Sequence, residues 1–327
     1  MSLPDSALTL LPNPDEAVRC AVHAANIGVV PAGTAIAADA VVLVETPRPW
    51  PKPVFAHPLL EGLASMMQLR SGAARVLACE RTNEIGHGTD ARDSAPHGSG
   101  SVLVFERGEV GMVPHRFEVE GARELKELFG LLTDHYPGEI GQFRSDDPAP
   151  ELAVLVCTQG SHDVCCGSDG VRFANELEQA APGLAVYRVS HTGGHRFAPT
   201  AMTLPDGRMW AGLELDTALS ILDLTADPAV VADRCRGWWG ASTGPAQVAE
   251  VAVLRELGWD LDLQPRQVTV HEAPDGAWRA EVEVARRTWQ VDIFAGRVVP
   301  TIACRAEGGL PAKVAQEYEV IGLSPPA

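Results

Sequence analysis

The stretch between Cys157 and His195 restricts the possible folds of this chain more than any other feature. It opens with Cys157-Thr158-Gln159-Gly160-Ser161-His162-Asp163-Val164-Cys165-Cys166-Gly167 and closes with His191-Thr192-Gly193-Gly194-His195-Arg196-Phe197. Thiolates and imidazoles are the side chains that bind soft and borderline transition metals, and two of each make a complete four-ligand set. For both pairs to serve one centre, the two segments that carry them must end side by side.

The surrounding pattern supplies that arrangement. Residues 152–156 read as a short apolar strand running into Cys157, and residues 171–180 have helical spacing and stop at Pro182-Gly183. Residues 184–189 read as the next strand, which runs into the His-Gly-Gly-His segment. Both ligand pairs therefore fall on loops after strands, where open α/β sheets gather their sites. Gly193 and Gly194 let the backbone approach a bulky group closely, and two adjacent glycines favour a loop over a helix there. Strands at 201–204 and 208–212 flank Pro205-Asp206-Gly207, a hairpin turn, and a helix over 216–222 closes the unit.

The flanks have a different texture. Residues 1–147 read as an N-terminal α/β region. It has a strand over 40–45, a helix over 58–69, a Gly/Ser/His-rich loop over 82–100, a strand over 101–105 and an amphipathic helix near 122–132. Asp146-Asp147-Pro148-Ala149-Pro150 reads as a linker, so residues 148–232 form the middle domain. Residues 233–327 read as a C-terminal α+β region, with a helix over 245–257 ended by Gly258 and strands at 267–272, 278–285 and 288–294. The fold class is α/β, α+β overall, and no internal repeat is visible.

A net charge of −17 argues against a nucleic-acid partner, which needs a basic footprint, and suits docking onto a basic surface. No apolar run approaches the roughly 20 residues that span a bilayer. The first residues lack the basic and apolar segments of a secretory signal. Seven cysteines, an odd number scattered along the chain, do not form a secreted disulfide framework. The expected location is a reducing cytoplasm, where a local Cys cluster means a metal or a redox thiol.

Three chemistries compete for the cluster. Two sulfide-bridged irons need four outer ligands, and neutral imidazoles in place of thiolates make the centre less anionic. That raises its reduction potential, by roughly several hundred millivolts in the Rieske comparison. A structural zinc site uses the same ligand types, although the Cys157 to Cys166 spacing is longer than a zinc knuckle's. A thiol or peroxide enzyme could use the adjacent Cys165 and Cys166, although no Cys-x-x-Cys is present. Either of those two thiols could pair with Cys157.

At these residues the chain resembles the sucrase/ferredoxin-like family, a branch of the thioredoxin-like [2Fe-2S] ferredoxins. The resemblance rests on Cys157-Thr158-Gln159-Gly160 with Asp163-Val164-Cys165-Cys166, on His191-Thr192-Gly193-Gly194-His195-Arg196-Phe197-Ala198, and on Leu204-Pro205-Asp206-Gly207. Weaker echoes are Gly33-Thr34-Ala35, Val44-Glu45-Thr46-Pro47-Arg48-Pro49-Trp50, Arg236-Gly237 and Gln247-Val248-Ala249-Glu250. It implies a thioredoxin-like ferredoxin domain holding a [2Fe-2S] cluster, with Cys157, Cys166, His191 and His195 at the ligand positions. The gap of the histidine-ligated pattern selects Cys166, with Cys165 as the alternative. The implied partners are redox proteins, and the implied role is electron transfer more than catalysis on a substrate. No paired-carboxylate signature supports sugar chemistry.

Around these ligands, Arg196, His162 and Asp163 are candidates for orienting the centre or tuning its charge, with Gly193 and Gly194 shaping its cradle. Cys20, Cys79, Cys235 and Cys304 are expected to be isolated buried thiols. His87 and His97 are expected to be solvated, and Trp238-Trp239 to pack an interface.

Overall fold

The computed structural model describes residues 3–81, 99–273 and 276–326. His87 and His97, most of the expected 82–100 loop and part of the 273–277 turn lie outside the described residues. The first two helices are α1 (Asp5–Leu8) and α2 (Cys20–Asn26). Strands β1 (Ala40–Glu45), β2 (Gln68–Leu69), β3 (Gly72–Arg81), β4 (Ser99–Arg107) and β5 (Met112–Glu120) follow, closed by α3 (Gly121–Asp134). The next unit runs β6 (Ala153–Cys157), α4 (Val171–Ala180), β7 (Ala185–Val189), β8 (Ala201–Leu204), β9 (Arg208–Trp210) and α5 (Leu215–Leu222). After α6 (Pro228–Val231), β10 (Cys235–Trp238) and α7 (Gly244–Leu257), a meander of β11 (Arg266–Glu272), β12 (Trp278–Val284), β13 (Arg287–Thr301) and β14 (Lys313–Ser324) ends the chain. This is a mixed α/β architecture.

Strands β1 to β10 form one sheet in the order β10-β9-β8-β6-β7-β3-β1-β4-β5, with β2 pairing β3 to the side. The same connectivity occurs twice in it. β1 has β3 as its parallel neighbour and β4 as its antiparallel one, and β4 continues to β5. β6 has β7 as its parallel neighbour and β8 as its antiparallel one, and β8 continues to β9. The two units join edge to edge and antiparallel, with Cys79 opposite Val189 and Arg81 opposite Tyr187. No sequence repeat announces this, because a shared strand order needs shared patterning and not shared residues.

β1 and β6 are apolar without alternation because both of their faces are covered. Val42 and Val44 pack with Leu125, Leu128 and Phe129 of α3, whereas Val154 and Val156 pack with Phe173 and Leu177 of α4. The opposite faces meet in one shared core that holds Val41, Leu43, Leu103, Leu155, Met202 and Trp239. The Met112 N–H donates to Pro205 O at 2.7 Å, fastening the hairpin of one unit to that of the other.

The helix expected over 58–69 is replaced by 3-10 turns at Pro58–Leu60 and Leu63–Ser65, followed by β2. Gly62 at φ 87° breaks the run between them. In contrast, α7 starts where Thr243 accepts the Ala246 N–H and stops at Gly258, φ 67°. It is buried nearly all round, between the large sheet and the four-stranded β11-β12-β13-β14 sheet. Its Glu250 is fully buried against Arg208 at 2.9 Å and Arg266 at 3.0 Å. Trp238 packs on Val268 and Val270 of the four-stranded sheet, whereas Trp239 joins the shared core of the large sheet, so only the first of the pair lies between the two sheets. Among the described residues, no helix is long and apolar enough to cross a membrane.

Candidate metal centre

β6 and β7 are parallel neighbours with Cys157 opposite Val189, so the loops leaving their C-terminal ends emerge together. From the first loop come the Cys157 and Cys166 thiols, both fully buried. The helical turn at Cys166–Gly170 presses on the strand end, and a Cβ on Gly170 would lie 2.0 Å from Cys157 O. Only glycine permits that approach. From the second loop comes His191, whose main-chain N–H donates to Gln159 Oε1 at 2.8 Å, tying the loops together. Ligand atoms of Cys157, Cys166 and His191 all lie within 4.8 Å of one another. The Nδ1 of His191 is buried without a hydrogen-bond partner. Two buried thiols with an imidazole beside them are a donor set that could hold a metal.

The thiols are electrostatically poised. Cys166 holds the Cys157 thiol well below its ordinary range, against burial and with help from His191. Cys166 itself is pushed well up, first by Cys157 and then by burial. Of the two, Cys166 is thus the one that keeps a proton more readily.

His195 stands outside this group of three, with its ring centroid 6.2 Å from that of His191. Its Nδ1 lies 3.0 Å from Asp163 Oδ2, so Asp163 fixes the ring and leaves Nε2 as the free nitrogen. Burial would raise the Asp163 carboxyl, but His195, the Cys165 N–H and Cys20 hold it at about 2. His162 stacks flat on His191, and burial together with His191 lowers its pKa to about 4. Both cysteines face inward, whereas the two histidines lie part-exposed at the surface.

The glycine pair does as its sequence suggests. Gly193 and Gly194 have φ 77° and 70°, and a Cβ on Gly194 would lie 2.6 Å from the Arg236 guanidinium. That arginine, which the residue reading left without a role, is fully buried behind the loop. It donates to Gly193 O at 3.2 Å, Thr34 Oγ1 at 3.1 Å and Thr34 O. Burial and the neighbouring Arg196 lower its pKa to about 10, so it remains a cation at neutral pH. Arg75 donates to His191 O at 2.8 Å. Arg196 donates to Thr301 Oγ1 at 3.1 Å, leaves Nε buried and unpaired, and is lowered by burial. One buried guanidinium, Arg236, and two half-buried ones, Arg75 and Arg196, therefore stand around the site on a chain that is acidic as a whole.

Cys165 points the other way, toward Cys20, Asp163 and Cys304. Cys20 and Cys304 are thus buried or part-buried as expected, but they are not isolated. Hydrogen bonding to Cys20 holds the Cys165 thiol down to about 6 against burial, with Ala21 N–H, Cys304 and Arg19 contributing. Cys79 and Cys235 are buried in the sheet.

The family model described as sucrase/ferredoxin-like matches residues 31–237. The chain belongs to the sucrase/ferredoxin-like family. No curated protein and no solved structure matches it. The sucrase/ferredoxin-like match begins before the Thr34 loop and ends just after Arg236, so it contains both sides of the contact behind Gly193. It takes in Cys157, Cys165, Cys166, His191 and His195, and it leaves Cys20 and Cys304 outside.

Proposed function

We propose that this protein is an electron carrier and that Cys157, Cys166, His191 and His195 hold a [2Fe-2S] cluster. The observation that carries the reading is the juxtaposition of Cys157, Cys166 and His191, with His195 held nearby by Asp163. A binuclear centre is wider than a single ion, which suits a fourth ligand standing apart from the other three. When bound, the cluster supplies one-electron transfer, at a potential raised by imidazole ligation.

The chain's own residues determine how that centre would behave. Arg236, buried, and Arg75 and Arg196, half-buried, place positive charge around it and favour a more anionic state. Asp163 fixes the tautomer of His195 through Nδ1–H. His162 covers His191 and excludes water from one face of its ring. The part-exposed histidine side gives a partner its approach, whereas the cysteines stay inside. The order β7-β6-β8-β9, with α4 and α5 as the helices, supports a thioredoxin-like unit in residues 148–232, flanked by 1–147 and 233–327.

The partner would be a redox protein. Only three lysines occur in the chain, and two of them, Lys52 and Lys313, line a cleft of about 480 Å³ beside His162 and His195. The electron-transfer mouth is thus locally basic on an acidic molecule, which favours an acidic partner surface there. All seven cysteines are free, which suits a reducing cytoplasm.

A single zinc ion is the second reading, favoured by how closely Cys157, Cys166 and His191 approach one another. Anaerobic purification decides between them. The expected product is red-brown, with two irons and two sulfides per chain and a visible spectrum that bleaches on reduction. A colourless protein whose Cys157 and His191 hold zinc would overturn the iron reading.

A further inference from the structure

Three thiols from distant parts of the chain converge beside the proposed centre, and one of them, Cys20 Sγ, lies 3.1 Å from His195 Nδ1. Cys20 comes from the first turn of α2, Cys165 from the loop after β6, and Cys304 from the segment between β13 and β14. The Cys20 and Cys165 sulfurs are 3.6 Å apart, and those of Cys165 and Cys304 are 3.5 Å apart. Asp163 completes the group, with its carboxylate oxygens 3.5 and 3.6 Å from Cys20 Sγ. All four ligand atoms lie within 4.8 Å of one another, and no disulfide joins any of them.

Those separations have a specific meaning. A tetrahedral zinc with bonds of about 2.3 Å to sulfur and about 2.0 Å to a carboxylate oxygen sets its sulfurs about 3.8 Å apart. By the same geometry it sets sulfur and oxygen about 3.5 Å apart. The Cys20–Cys165, Cys165–Cys304 and Cys20–Asp163 edges lie within about 0.3 Å of that tetrahedron, and the other three pairs lie within 4.8 Å. A disulfide would need a sulfur separation of about 2 Å and only two of the three thiols. A plain apolar core would not bring a carboxylate, buried and 8% exposed, against the sulfurs.

The surroundings also fit anionic sulfur. The Cys20 N–H points at Cys304 Sγ at 3.5 Å, and Arg19 lies against Cys165 while bonded to Asp169 at 2.5 Å. The Asp163 Oδ1 accepts the Cys165 N–H at 2.8 Å, which fixes the carboxylate between the two sites. Leu11, Val18, Ile302 and Ala312 pack around the group, while Asp163 and Cys304 border the cleft that Lys52 and Lys313 line.

We propose that Cys20, Cys165, Cys304 and Asp163 form a second, structural metal site for zinc, separate from the Cys157/Cys166/His191/His195 centre. Asp163 would serve both sites, offering one oxygen to the metal and the other to His195 Nδ1–H. With all four positions filled by protein, the site leaves no place for substrate, so its role is to fasten the N-terminal and C-terminal segments to the central sheet.

The test is zinc and iron content of the full chain, measured for the natural protein, Cys304→Ser and Cys157→Ser. The expected result is one zinc per natural chain, lost at least tenfold in Cys304→Ser with iron and visible absorption retained. Cys157→Ser should keep the zinc that Cys304→Ser loses; were the first centre itself zinc, the natural chain would hold two and each variant would lose a different one, so failure of the electron-carrier reading leaves this result legible. Zinc lost with Cys157→Ser but kept in Cys304→Ser would overturn the assignment. Mapping of the natural protein by alkylation covers the case of a misfolded variant. One equivalent of added zinc should protect Cys20, Cys165 and Cys304 at least tenfold. Alkylation indifferent to zinc, or a disulfide among these three, would also overturn it.

Discussion

The imidazole of His162 lies flat on that of His191, with ring centroids 3.4 Å apart and planes 13° from parallel. Such a stack is worth about 1 kcal/mol. It covers one face of a proposed ligand with a group that stays neutral above about pH 4. His162→Ala is expected to lower stability by about that amount and to shorten several-fold the aerobic lifetime of the visible chromophore. His162→Phe should restore both. Decay of absorption in air measures the lifetime, and equal decay in all three proteins would remove His162 from the shielding role.

The ligand positions make a direct electrochemical prediction. His191→Cys replaces a neutral donor with an anionic one, so a retained cluster should shift to lower potential by roughly 100–300 mV. His191→Ala should lose the cluster. Redox titration monitored by visible absorption reads the first, and iron content the second. An unchanged potential in His191→Cys would show that this residue does not reach the centre.

Arg236 joins the Thr34 loop to Gly193 while fully buried. Arg236→Met keeps much of the volume but strands the carbonyls of Gly193 and Thr34. The expected cost is about 3 kcal/mol in denaturant unfolding, with a lower potential in whatever cluster remains. Arg236→Lys should recover part of the charge effect and little of the forked hydrogen bonding.

Backbone approach gives a paired prediction. A Cβ on Gly170 would lie 2.0 Å from Cys157 O, whereas one on Gly183 would meet nothing within 4 Å. Gly170→Ala should destabilise by about 3 kcal/mol or more, and Gly183→Ala by no more than about 0.5 kcal/mol. Thermal unfolding of the two variants side by side checks the contrast.

Asp206 supplies a pH dependence. Burial and Asp262 raise its carboxyl from the ordinary 3.8 to about 6, against hydrogen bonds from the Arg208 N–H and the Thr203 hydroxyl. Its folded pKa is the higher one, so the folded protein holds the extra proton between these values. Stability therefore falls as pH rises through that window. Asp206→Asn cannot ionise and should be more stable than the natural protein at pH 7.5 by about 1–2 kcal/mol, with the difference vanishing below about pH 4. Denaturant titrations at the two pH values measure it.

What the sequence disclosed followed from locality. β6, α4 and β7 are contiguous, and an apolar run, an amphipathic helix and a second apolar run identify them without tertiary information. β3 and β14 were not legible in that way. Arg75 lies within β3 and reaches across to His191 O. β14 is largely part-exposed and carries Lys313, Gln316, Glu317 and Glu319, so it lacks an apolar stripe. Nothing local in the sequence marks Arg208, Glu250 and Arg266 for burial; they are buried together because their mutual contacts and Asp262 satisfy them. Cys20 and Cys304 looked isolated because the 145 and 139 positions separating them from Cys165 exceed any local window.

The convergence of residues 20, 165 and 304 has a temporal side. During synthesis the β6–β7 loops and their four candidate ligands leave the ribosome well before residue 304 does. N-terminal units fold first as the chain emerges. Cys157, Cys166, His191 and His195 can therefore meet in a nascent chain whose Cys20 and Cys165 still await their third partner. Arrival of Cys304 then closes the set over Asp163 only after the large sheet and α7 have been made. A chain released early would carry the first set of donors without that closure, and so would be chemically distinguishable from a finished one.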